Sequence, residues 1–93
     1  MSRESVHVGF GKFIELSSVV AIVTPGSAPI QRLIRDGKRR GLVEDMTSER
    51  RTKAKAAVFM DTDNIVLVAI TPEALAGRVT AARAGRIAQA QAD

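Results

Sequence analysis

The stretch KAKAAVFMDTDNIVLVAI, residues 53–70, decides the fold class. Apolar residues fill Ala56–Met60 and Ile65–Ile70, and Asp61-Thr62-Asp63-Asn64 separates them. Asp and Asn hydrogen-bond their own backbone in turns, so the stretch reads as a β-hairpin. A calcium loop also opens with alternating Asp and Asn, but the glycine and glutamate it needs downstream are replaced here by a strand. The second strand is apolar on both faces, and such a strand needs two covers. One helix layer supplies one of them. The other is either a second helix or another subunit, and the expectation is that subunits associate through the apolar faces of this hairpin.

Upstream, SAPIQRLIRDGKRRG, residues 27–41, reads as a helix. Ser27 can cap the first amides, and Pro29 falls in the first turn, where its missing N–H matters least. Ile30, Leu33, Ile34 and Gly37 recur at helical spacing as the apolar stripe. Arg32, Arg35 and Arg39 lie opposite, Lys38 and Arg40 suit the C-terminal dipole, and Gly41 is a natural C′ residue. Downstream, Thr71-Pro72-Glu73 starts a second helix with Leu75 and Val79 as its apolar edge. Gly77 inside it costs about 1 kcal/mol relative to alanine. From Ala81 the chain is Ala-rich (AARAGRIAQAQAD) and either extends this helix or frays. Nearer the N-terminus, Val6–Phe10, Phe13-Ile14 and Val19–Val23 read as short strands, the last stopped by Thr24-Pro25-Gly26. Leu42-Val43 begins a further extended piece. The pattern predicts an α+β domain: a small, mainly antiparallel sheet with one strong helix and a second C-terminal helix.

Ninety-three residues make one domain. A core this small is marginal and is commonly supported by disulfides, metals or partner subunits. Cysteine is absent and His7 is the single histidine, which excludes disulfides, thiolate zinc sites and histidine-rich metal sites. No metal or cofactor is expected, and a homo-oligomer is the remaining support. No apolar run approaches a membrane span, and the start MSRESVHVGFGKF has no signal-peptide core, so a cytoplasmic protein is expected.

Charge is concentrated rather than large. The net formal charge is +4, yet nine of the fourteen Lys and Arg residues fall between Arg32 and Lys55, against four acids. A clustered basic patch is the footprint of a polyanionic partner. Within it, Arg50-Arg51-Thr52-Lys53 sits just before the hairpin, where side chains are displayed rather than packed. Arginine presents a rigid donor fork that matches phosphate oxygens and guanine edges, and threonine adds a hydroxyl contact. Three Phe residues are too few and too scattered for a single-strand stacking platform, so double-stranded DNA is preferred. RNA, or an acidic protein held by a structural or adaptor oligomer, would meet the same basic surface. Catalysis finds little to work with: the serines have only His7 as a base, and Glu44 and Asp45 would point to opposite faces of a strand. Gly9-Phe10-Gly11 lacks the third glycine of a dinucleotide fingerprint and reads as a tight turn or bulge. The chain is expected to bind rather than catalyse.

At this point the residues resemble a known family. His7-Val8-Gly9-Phe10-Gly11, Ala21–Ile30 (AIVTPGSAPI), Arg40–Asp45 (RGLVED), Arg50-Arg51-Thr52-Lys53 and Met60–Asp63 (MDTD) are similar, in order and spacing, to the RemA family of bacterial extracellular-matrix regulatory proteins. The likeness runs from about Val6 to Val79, giving a RemA-like DNA-binding domain over 1–82 and an Ala-rich tail over 83–93. It implies a transcriptional regulator of biofilm-matrix genes that acts on bent DNA as a ring-like homo-oligomer. Arg50 and Arg51 match the arginine pair that the family uses on DNA. Where the family often carries a basic residue after the first strands, this chain has Ser17-Ser18, leaving Lys12 as the nearest cation. The expected DNA-binding set is therefore Arg50, Arg51, Thr52 and Lys53, with Arg32, Arg35, Arg39 and Lys12 as auxiliaries.

Overall fold

The computed structural model describes residues 4–9, 11–47 and 53–92. In chain order the elements are β1 (Ser5–Gly9), β2 (Lys12–Glu15), β3 (Val19–Val23), α1 (Ala28–Arg39), β4 (Val43–Asp45), β5 (Ala56–Met60), β6 (Ile65–Val68) and α2 (Pro72–Ala92). The expected hairpin is β5–β6, antiparallel with Val58 opposite Val66. It forms the centre of a four-stranded sheet ordered β3-β5-β6-β4, in which only the β4–β6 pair is parallel. β1 and β2 make a separate antiparallel pair. Gly9 at φ 102° and Gly11 at φ 71° turn the chain between them, conformations that glycine adopts without strain.

Alternation along the strands sorts the apolar residues into two cores. Val66 and Val68 face a cluster formed with Val6, Val8, Ile14 and Leu16 of the β1–β2 layer and Leu75 and Val79 of α2. Ile65 and Leu67 face Ile34 of α1 and Ala57, with Ile30, Val43 and Phe59 partly buried around them. All four residues of β6 are buried within one chain. This corrects the expectation that another subunit covers the hairpin. Both covers are intramolecular, because the N-terminal hairpin folds back beside α2 and shields the face that α1 leaves open.

The helix ends follow local chemistry. The Ile30 amide donates to Ser27 Oγ at 3.4 Å and the Ala74 amide to Thr71 Oγ1 at 3.2 Å, each satisfying an orphan donor of a first turn. At the end of α1 the Leu42 amide donates to the Gly37 carbonyl at 2.8 Å and the Gly41 amide to the Lys38 carbonyl at 3.2 Å, with Gly41 at φ 71°. This is a Schellman closure. α2 continues without interruption across Ala82 and Arg83 to Ala92, so the Ala-rich segment extends the helix. Among the described residues no helix is long and apolar enough to cross a membrane.

Gly37 sets the depth at which α1 lies on the sheet. A Cβ at this position would stand 3.0 Å from Val43 Cγ2 and 3.1 Å from Ile65 Cδ1. The helix therefore accepts a glycine in its interior and gains close approach to β4 and β6. Leu33 was expected in the buried stripe with Ile30, Ile34 and Gly37, but it is 50% exposed. The contact centres on Ile34 and Gly37, and Leu33 lies on the flank of that line. We expect Gly37→Val to overpack this seam at a cost on the order of 2 kcal/mol, lowering the thermal midpoint by roughly 10 °C. An unchanged midpoint would mean that the seam can open without loss.

Candidate nucleic-acid interface

Successive helical residues are offset by about 100°, which fixes what the outer surface of α1 displays. Arg32, Arg35 and Arg39 share the solvent side opposite Ile34, and all three are exposed. Lys38 falls on the flank towards β4, and Leu33 with Arg40 on the flank towards β3. Arg39 and Arg40 share Asp36, at 3.4 Å and 3.7 Å, in exposed pairs that contribute little stability and leave most of their charge available. Among the described residues Arg32 and Arg35 make no ion pair.

A second group of charges lies at the β4 edge of the sheet. Asp45 Oδ1 accepts hydrogen bonds from both the hydroxyl and the amide of Thr47. Thr47 is itself buried, and its carbonyl accepts from Lys12 Nζ at 3.5 Å. The Thr47 hydroxyl, more than any other group, holds the Asp45 carboxyl below the ordinary aspartate range; partial burial opposes it, and the Thr47 amide, Lys38 and Lys12 reinforce it. Lys38 comes from the α1 side of the sheet and Lys12 from the β2 side, so Asp45 lies between cations of two layers. Lys53 is exposed.

The structure thus places the auxiliary residues Arg32, Arg35 and Arg39 on one ridge. It sets Lys12 apart from that ridge, beside Thr47 on the opposite layer. Arg50, Arg51 and Thr52 lie outside the described residues. The Asp45–Thr47 anchor was not among the sequence expectations. Its signal is the Asp-Met-Thr spacing, in which an acidic side chain can cap the amide and hydroxyl two residues on. Glu44 and Asp45 do face opposite sides of the sheet, in register with Val66 and Leu67 respectively.

Comparison with known proteins gives this geometry its context. The model of the RemA-like family, described as extracellular matrix regulatory protein A-like, matches residues 5–79. The chain belongs to the RemA-like family. It is 42% identical over 80 residues to extracellular matrix regulatory protein A of Bacillus subtilis, covering 86% of this chain and 88% of that one. A Dehalococcoides mccartyi protein, provisionally named as regulatory, is 42% identical over 87 residues, 94% of this chain and 88% of the relative. A similarly named Thermoanaerobacter protein is 44% identical over 79 residues, 85% and 80% of the two chains. The names borne by this RemA-like chain's relatives point to regulation rather than to catalysis.

The anchor makes a pH-dependent prediction. Asp45 has a lowered pKa in the folded protein, so its contribution to stability is present above the unfolded value of about 3.9 and is lost as pH falls through the lower folded value. In Thr47→Val the carboxyl should titrate at higher pH than in the parent protein, as followed by carboxyl-carbon NMR. An unchanged midpoint would remove the Thr47 hydroxyl as the main cause.

Proposed function

We propose that this RemA-like protein is a transcriptional regulator that binds double-stranded DNA as a homo-oligomer, with extracellular-matrix genes as its targets. It acts by binding and not by catalysis. The observation that carries the reading is the α1 ridge. Arg32, Arg35 and Arg39 stand exposed side by side on a rigid helix, with Asp36 the acid nearest them. Side chains on a helix that is locked onto a sheet hold their spacing, and phosphates along a duplex have a fixed spacing too. Arg50, Arg51 and Thr52 belong to the proposed surface through the family resemblance, with Lys53, exposed, and Lys12, half-buried, as further cations. The matrix-gene target rests on the name of the Bacillus relative.

One subunit offers few phosphate contacts, and affinity for a polyanion grows with the number of contacts made together. Joining several subunits turns later contacts into intramolecular ones and raises avidity without any new chemistry. This is why the reading includes a homo-oligomer, ring-like as the resemblance implies, on bent DNA.

Duplex-DNA isotherms at several salt concentrations test the proposal. Each phosphate contact contributes about 0.9 to the log–log slope, so Arg32→Ala/Arg35→Ala/Arg39→Ala should flatten the slope by up to about 3 per subunit engaged. Arg50→Ala/Arg51→Ala should flatten it by up to about 2. Preference for structured RNA in competition would redirect the reading to RNA. No binding even at low salt would leave an adaptor for an acidic protein.

A further inference from the structure

From Arg32 to Arg40, α1 and its C-cap carry five cations and a single acid, Asp36. Asp36 stands in the last turn, where the helix dipole disfavours negative charge, and aspartate is among the poorer helix formers. Its two ion pairs, to Arg39 and Arg40, are exposed and add little stability. A residue set against local preference without a compensating gain in the fold marks a surface with another use. We propose that Asp36 divides the cationic face of α1 towards a polyanion: Arg32 and Arg35 meet phosphate directly, while Asp36 competes with phosphate for Arg39 and Arg40. This assignment rests on the DNA-binding reading above and deepens it, by making the phosphate contacts of the helix unequal.

Helical geometry sets the direction of the division. Long side chains on an α-helix lean towards its N-terminus. Arg39 and Arg40, three and four residues beyond Asp36, therefore lean back over it, and their guanidinium groups reach one carboxylate oxygen each, at 3.4 Å and 3.7 Å. Arg32 and Arg35 share the same outer surface with Asp36, but the same lean carries them away from it. Among the described residues neither makes an ion pair. A carboxylate offers an arginine what a phosphate offers, charged oxygens that fit the guanidinium fork. A phosphate that engages Arg39 or Arg40 must displace Asp36, whereas one that engages Arg32 or Arg35 displaces only water and counterions. Because the pairs are exposed and screened, a polyanion of high charge density can open them. One carboxylate shared between two cations offsets one of them, so Asp36 holds down the affinity of a single subunit without bearing on the core.

The test is a set of duplex-DNA isotherms over a salt series, with circular dichroism and thermal midpoints to verify folding. Asp36→Asn should bind more tightly than the parent protein and steepen the log–log slope by about 1 per subunit engaged. Its thermal midpoint should stay close to the parent's. Asp36→Glu, which keeps the charge, should restore the parent slope. In the parent protein Arg32→Ala/Arg35→Ala should flatten the slope by up to about 2 and Arg39→Ala/Arg40→Ala by up to about 1; in Asp36→Asn the two losses should become equal. An Asp36→Asn slope equal to the parent's, or equal losses from the two arginine pairs in the parent protein, would overturn the division while leaving DNA binding in place. So would a tightening by Asp36→Asn that persists undiminished in Arg39→Ala/Arg40→Ala, since Asp36 would then act only as a general surface charge. A parent protein that binds no duplex even at low salt would remove the DNA-binding reading and the division with it.

Discussion

Burial of β6 on both faces is the constraint from which the rest of the molecule follows. Ile65, Val66, Leu67 and Val68 leave no position for a polar side chain, so two layers must close on one strand. α1 closes one face, and the β1–β2 pair with α2 closes the other. Ninety-three residues thus make three layers, although each layer is thin. The closeness of the α1 seam, set by Gly37, compensates for its few contacts. Dispersion falls steeply with separation, and a helix held a few tenths of an ångström further out would lose much of that attraction.

Because the apolar surface of the sheet is covered internally, what α1 presents outward is free for other uses. The helix is held through Ile30, Ile34 and Gly37, which fixes its rotation about its own axis. That rotation places Arg32, Arg35 and Arg39 outward, Lys38 towards β4 and Leu33 towards β3. A helix turned by one residue position would bury an arginine or expose Ile34, and either is costly. The packing of the core and the layout of the charged surface are therefore one decision. Asp45 extends the same logic to the sheet edge, where one carboxylate fixes Thr47 and balances Lys12 and Lys38 from the two sides.

Much of this was legible in the sequence where the cause is local. Ser27, Thr71 and Gly41 announced the helix ends because capping depends on one side chain and the amides or carbonyls within a turn of it. The Asp61–Asn64 turn and the alternation of Gly9 to Gly11 were legible for the same reason. The second cover of β6 was not, since it depends on where a hairpin fifty residues away folds back, and no periodicity encodes that. Leu33 shows the other limit. Its spacing fits the apolar stripe, but an apolar stripe is wider than the line of contact. Only the closeness at Gly37 decides which side chains fall inside it. The placement of Arg32, Arg35 and Arg39 opposite the apolar stripe was legible from helical spacing; how the helix is seated on the sheet was not.

The outer flank of α1 and the Phe13 face raise a question of economy in a protein of this size. Phe13, Val20 and Leu33 are exposed although a polar residue would fit each position without disturbing the core. Val20 and Leu33 line a groove with Phe59 and Arg40, and Phe13 lines a neighbouring depression with Met46 and Glu44. A ridge of three arginines can meet few phosphates at once, and affinity for a polyanion grows with the number of contacts made together. The proposed DNA reading therefore requires several copies of the ridge to act together, since the contacts of one copy are few.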